Sequence, residues 1–300
     1  MNRRHMYPLF SISVFFLAFG ATYGSYAKSK CPPGFVLIPK NSQYVESDFC
    51  VSKYEMKSNN RRYLSTWSGK PVNALSHKKS IEACSSLGKD FHLITNGEWQ
   101  TIARNIESVP QNWAESKIGS YLGISRGHTD GSPLGELPAS PDDDKGCYLT
   151  GEKCDSNLWN SQRRTHVLSN GEVIWDFSGN LWERVADTLQ NITYIGDDAY
   201  ISEISLKSHP KSLILFDGVS RVVKDLFGPS GEYWMKYSDH HYGLGHAWLS
   251  LSSGVIARGG RWMDSFSAGV FATNLIFSDI ESDNPKDLAF RCSVNLEKKR

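Results

Sequence analysis

The sequence has no surplus of charge: 33 Lys and Arg face 32 Asp and Glu over 300 residues, a formal net charge of +1. Nucleic acids and anionic membranes are bound through clustered, uncompensated Lys and Arg, so composition gives no reason to expect either partner. There is no internal repeat, heptad or low-complexity tract. No Cys-x-x-Cys pair or closely spaced Cys/His set is present, which argues against a zinc site. No apolar run reaches the ~20 residues of a membrane span. After Pro110 no segment repeats the helical periodicity of the earlier chain, and residues 119–161 are rich in Gly, Ser, Asp and Asn.

Aromatic residues, by contrast, are abundant: nine Trp, 14 Phe and 13 Tyr, with 40% hydrophobic residues overall. This is a globular balance, excluding a disordered or collagen-like chain. At the N-terminus Arg3, Arg4 and His5 precede an apolar run over residues 9–19 and small residues ending in Ser25-Tyr26-Ala27. That pattern predicts a secretory signal over residues 1–27, no membrane span once it is removed, and a secreted or periplasmic location. Lys28-Ser29-Lys30 argues against a lipid anchor on Cys31. Six cysteines then enter an oxidising compartment, an even number that predicts three disulfides. Spacing favours Cys31 with Cys50 and Cys147 with Cys154, which leaves Cys84 with Cys292.

Phe35-Val36-Leu37-Ile38, bounded by Pro33-Gly34 and Pro39, reads as a strand, as do residues 49–56. A short helix is predicted over residues 78–87, with Ser76 as cap and Gly88 as stop. A second begins at Thr95, where Glu98 three residues on completes a capping box and Trp99, Ile102, Ala103 and Ile106 form one face. Residues 255–257 and 288–294 read as strands. The expectation is an α+β, loop-rich single domain over residues 31–296, with two short helices and mixed short strands. Trp175, Trp182 and Trp262 are expected as core rings.

Pro71-Val72-Asn73 with the first helix, then Leu93-Ile94-Thr95-Asn96-Gly97-Glu98-Trp99, Asp176-Phe177-Ser178-Gly179-Asn180-Leu181-Trp182-Glu183, Arg258-Gly259-Gly260-x-Trp262 and Ala289-Phe290-Arg291-Cys292 together resemble the formylglycine-generating enzyme (sulfatase-modifying factor) family. The resemblance implies a C-type-lectin-like fold. It also implies a disulfide between the first helix and the terminal Phe-Arg-Cys, in agreement with the spacing. The family's oxidases hold copper with two cysteines, whose positions carry Asp264 and Gly269 here, with Arg261 in place of a serine. Copper(I) needs soft thiolates, and no cysteine lies between Cys154 and Cys292, so no copper and no oxidase of that kind are expected. His92, Ile94 and Asn96 also depart from the first signature.

The resemblance further implies a structural Ca²⁺ held by Asp176 and Glu183 and the carbonyls of Gly179 and Leu181, a hard oxygen set. The alternative is that these carboxylates cap a turn and pair with Arg184 or Arg258. A second calcium site would begin at Asn157 and Leu158, but its later Asp ligand is absent. His240, His241 and His246 form the only histidine cluster; an exposed loop is the plainer reading than a transition-metal site. Asp142-Asp143-Asp144 reads as a solvated loop. Asn191-Ile192-Thr193 would accept a glycan only in a eukaryotic secretory pathway. Residues 188–250 form an excursion atypical of the family, expected over the ligand face. Two functions follow: an exported, non-catalytic protein binding an unknown protein, peptide or glycan; or an enzyme of the same fold using a non-cysteine centre, with Arg261, Asp264 and the histidines as its chemistry.

Overall fold

A computed structural model describes residues 31–60, 62–154, 158–195, 198–205, 214–217, 224–230, 243–248, 254–277 and 286–296. The predicted signal over residues 1–27, Asn157, His240 and His241 lie outside them. In chain order the elements are β1 (Phe35–Ile38), β2 (Phe49–Ser52), β3 (Lys57–Asn59), β4 (Arg62–Leu64), α1 (His77–Ser85), β5 (Phe91–Leu93) and α2 (Asn96–Glu107). After a long loop come β6 (Thr165–Val167), β7 (Val173–Trp175), β8 (Trp182–Ile195), β9 (Asp198–Ser205), β10 (Ile214–Asp217) and α3 (Lys224–Phe227). Then follow β11 (Ala247–Trp248), β12 (Gly254–Arg258), β13 (Thr273–Phe277), β14 (Leu288–Phe290) and β15 (Cys292–Asn295). The chain is α+β and loop-rich, and among the described residues it has two α-helices of more than two turns and the single turn of α3.

Two larger sheets organise most of these elements, with β3-β4 and β6-β7 forming two-stranded sheets of their own. One runs β1-β2-β15-β5; the other runs β10-β9-β8-β12-β13-β11, with β14 also paired to β8. Because β15 lies antiparallel between β2 and β5, the last strand closes the N-terminal sheet. The Cys84–Cys292 disulfide fastens α1 to that strand, Cys31–Cys50 ties the chain start to β2, and Cys147–Cys154 closes a short loop. No described cysteine is free. Among the described residues no helix is long and apolar enough to cross a membrane.

Local sequence explains the helices. Ser76 accepts from the Lys79 N–H, and Thr95 and Glu98 form the reciprocal capping box that satisfies two of α2's unpaired N–H groups. The apolar face of α2 enters a core with Ile38, Phe49, Val185, Ile256 and Phe271. Trp99 stacks on Phe177 at 3.9 Å between ring centroids and donates its indole N–H to the Val270 carbonyl at 2.9 Å, which removes the cost of burying that donor.

The excursion over residues 188–250 is described only in part, so its expected place over the ligand face lies outside the described residues. β8 continues into it to Ile195, β9 and β10 extend the larger sheet at its edge, and α3 packs on α2. Trp175 and Trp182 are buried, whereas Trp262 is only partly so.

Candidate functional site

The turn joining β7 to β8 is where the long loops meet. Asp176 and Asn180 hold left-handed φ values of 52° and 62°, conformations that short polar side chains tolerate. Gly179, at φ 75°, leaves no room for a side chain: a Cβ would lie 2.6 Å from the His128 carbonyl oxygen and 2.7 Å from that of Arg126. The amide of Gly179 donates to the Gly259 carbonyl, that of Asn180 to His128, and that of Trp262 to Asn180. Asn180 Oδ1 accepts from the Leu137 N–H at 2.8 Å, and its amide NH₂ donates to Glu55. The turn therefore fixes both the loop around residues 126–137 and the loop that follows the Gly259-Gly260 pair.

The two carboxylates flanking this turn face arginines. Arg164 Nε and Nη2 donate to Asp176 Oδ1 and Oδ2 at 2.7 and 2.9 Å, and the same guanidinium reaches the carbonyls of Leu137, Pro138 and Tyr148. Arg291 Nε donates to Glu183 Oε1 at 2.9 Å, while its other nitrogens reach the carbonyls of Ser52, Lys53 and Trp175. All four side chains are buried. The partners differ from the expected Arg184 and Arg258; Arg258 instead donates to Asn96, Gln100 and the Phe227 carbonyl, joining β12 to α2 and α3. Asp176 has both oxygens committed and Glu183 one, so a divalent ion bridging them would displace or confront two guanidinium groups. The expected calcium set of Asp176, Gly179, Leu181 and Glu183 does not fit this arrangement.

Sequence reasoning missed two members of the cluster, Glu55 and Lys57. Their i, i+2 spacing beside β3 was the available signal, because alternate residues of an extended segment share a face. Both are buried, and Glu55 Oε1, Lys57 Nζ and Glu183 Oε2 make no hydrogen bond. Burial, with Asp176 nearby, raises the Glu55 carboxyl well above its ordinary value. Burial pushes Glu183 up to about 7, against Arg291, and Lys57 down to about 8, against Glu55 and Asp176.

The loop after the glycine pair is tied to itself. Asp264 accepts from the Arg261 amide at 3.0 Å and from Arg261 Nε at 3.2 Å, and Arg261 also pairs with Asp287. Burial holds the Asp264 carboxyl above the ordinary range despite these bonds and one from Trp182. Gly269 packs directly on the backbone of Leu244 and Gly245. His246 joins the same region through its amide on the Ser267 carbonyl at 2.8 Å. Leu158 is exposed, and its carbonyl accepts from Arg163. Among the described residues no three His, Cys, Asp or Glu side chains converge as a metal set.

This loop also displays apolar side chains that sequence reasoning did not single out, since nothing in their spacing marks them. Met263 is 50% and Phe266 54% exposed, and the Arg126 guanidinium lies 4.8 Å from the Phe266 ring centroid. The adjoining loop is joined by the Ser265 amide to Thr129 and the Gly131 amide to Trp262, and it carries Leu134 at 81% exposure. A separate cleft of about 320 Å³ has Val45, Ile81, Leu93 and Ala186 on its walls and the His92–Glu98 pair in its lining. His92 Nε2 meets Glu98 at 2.9 Å and Nδ1 meets the Asp90 carbonyl at 3.1 Å. His92 is one of the residues at which the chain departs from the first signature.

No protein-family model matches the chain, and no curated protein sequence matches it. Among solved structures it is similar to the Major Tropism Determinant I1 Variant at 14% identity and a TM-score of 0.41, over 88% of this chain and 53% of that one. This chain thus spans about half the length of the tropism determinant. It is similar to PvdO from Pseudomonas aeruginosa at 13% identity and a TM-score of 0.40, over 88% and 92% of the two chains. With Treponema denticola variable protein 1 the identity is 13% and the TM-score 0.34, over 87% and 92%. These likenesses concern the fold alone.

Proposed function

We propose that this chain is an exported, non-catalytic binding protein on a C-type-lectin-like scaffold, taking a protein, peptide or glycan ligand at the exposed side chains of Leu134, Met263 and Phe266, with the buried Arg126 guanidinium backing the Phe266 ring. The observation that carries this reading is the state of the two positions where copper thiolates would be required. At one, Asp264 closes its own loop onto Arg261; at the other, Gly269 has backbone where a side chain would have to be. The segment that would perform oxidation instead exposes the Met263 side chain and the Phe266 ring, the latter packed against the buried Arg126 guanidinium. Exposed apolar groups next to arginine are the composition of binding hot spots rather than of solvated loops. Three disulfides suit an oxidising compartment, in keeping with the N-terminal leader pattern.

The test is a screen of the purified protein against displayed peptide libraries and a glycan array, repeated with Phe266→Ser and Arg126→Gln. The reading predicts a ligand whose affinity falls at least about tenfold in either variant, as removal of a hot-spot residue does. A ligand bound equally by both variants, or no ligand in either screen, refutes it.

A further inference from the structure

Arg126 lies behind the exposed Phe266 ring and is itself only 8% exposed. Its backbone is fixed on two sides: the amide donates to the Ser161 carbonyl at 2.7 Å, and the carbonyl accepts from Ser178 Oγ at 2.9 Å. Among the described residues its guanidinium has no comparable partner, and Nε is buried without a hydrogen bond. Arg164 and Arg291, buried to a similar degree, commit Nε and both terminal nitrogens to carboxylates or backbone carbonyls. The acid four residues on, Asp130, is already engaged: Oδ1 accepts from Thr129 Oγ1 at 3.1 Å and Oδ2 from Gln162 Nε2 at 2.7 Å. Burial lowers the Arg126 pKa, and the charge of Asp130 works against that. A guanidinium stays charged at ordinary pH, so burying one with unused donors carries a cost that an arriving acceptor removes. The Phe266 ring offsets part of that cost through its π face.

We infer, resting on the reading of this face as a binding surface, that its ligand is a peptide segment carrying a carboxylate next to an apolar side chain: the carboxylate docks on the Arg126 guanidinium beside the Phe266 ring, and the apolar group lies on Met263 and Phe266. A carboxylate is the matching group because its two oxygens accept parallel N–H groups of one guanidinium. Arg126 is presented from a backbone already tied to Ser161 and Ser178, so little ordering is left for the ligand to bring about. A peptide is favoured over a glycan by the exposed side chains. Leu134 and Phe266 hold no hydrogen-bonding atom and Met263 only a weak acceptor, so these three offer sugar hydroxyls almost nothing to pair with.

The experiment uses two immobilised peptide libraries, one with a central Glu and one with a central Gln, both with randomised flanks. They are probed with the unmodified oxidised protein, with Phe266→Ser and with Arg126→Gln, beside a glycan array. Central-Glu peptides with an apolar neighbour should bind the unmodified protein, and exchanging that Glu for Gln should weaken each at least about tenfold. On Arg126→Gln the two forms should bind within about threefold of each other, since the carboxylate has lost its partner. Peptides whose binding depends on Phe266 but not on the central carboxylate overturn the inference and leave the binding reading standing. A carboxylate-bearing glycan that binds through Arg126 in place of any peptide overturns the peptide assignment. No bound peptide or glycan overturns both. If Arg126→Gln does not fold, the Glu-to-Gln exchange in the peptide, read on the unmodified protein, decides alone.

Discussion

Replacing Gly269 by Ala adds one methyl group at the position where the resembled oxidases carry a cysteine. A Cβ there would lie 2.2 Å from the Leu244 carbonyl carbon, 2.3 Å from the Gly245 nitrogen and 2.5 Å from the Leu244 oxygen. All three are backbone atoms, so no side-chain rotation relieves the contact. Nor is the backbone loose: Gly269 donates to the Gly259 carbonyl at 3.1 Å, Phe271 to Leu244 at 3.0 Å, and Ala272 to Gly269 at 2.8 Å. Separating the two segments to ordinary contact distance means loosening these bonds. Overpacking of this kind costs about 3 kcal/mol, which for a chain of this size lowers Tm by roughly 6–12 °C. Gly269→Cys should cost at least as much, and so should not yield a folded protein with a thiol in place. The assay is thermal unfolding of the oxidised protein followed by circular dichroism. Gly269→Ala melting within about 1 °C of the unmodified chain would show that this backbone contact does not constrain the site, and the steric reasoning would fail.

The Cys84–Cys292 bridge closes 208 residues and Cys147–Cys154 only 7; in the chain-entropy account they stabilise by about 5 and 2.5 kcal/mol. Cys84→Ala/Cys292→Ala should therefore lose about twice as much Tm as Cys147→Ala/Cys154→Ala, and equal losses would contradict the account. Glu98 tests a different contact. Burial alone would raise its carboxyl, but hydrogen bonds and charge from His92, with donors from Thr95 and Ser293, hold it below the ordinary value. A carboxyl with a depressed folded-state pKa stabilises above its unfolded value of about 4.5 and loses that contribution as pH falls through the folded value. Glu98→Gln should accordingly be less stable at pH 7, with the gap narrowing below about pH 4.5; a constant gap would show that the charge is immaterial.

The parts of this fold legible in the sequence are those set by local rules. The Thr95–Glu98 capping box, the glycine stop after α1 and the β1 and β15 strands each depend on residues close in sequence. The even cysteine count in a chain with a leader pattern, read with spacing, points to the three pairs present in the structure. The long β8 and its partners β9 and β10 were not legible, because their pairing is nonlocal. The ion pairs of the central turn were misread for the same reason. The carboxylates Asp176 and Glu183 are near neighbours, but Arg164 and Arg291 come to them from two other parts of the chain. A sequence can show that an acidic pair needs cations; it does not say whether they arrive as metal or as side chains.

The most direct test of a non-catalytic assignment is incubation of the purified, oxidised protein with oxygen and a peptide containing Cys-x-Pro-x-Arg, with and without copper(I), followed by mass spectrometry. With Asp264 bound to Arg261 and Gly269 against backbone, the peptide cysteine should remain unmodified under both conditions. Conversion of that cysteine to formylglycine above a protein-free control would contradict the central claim.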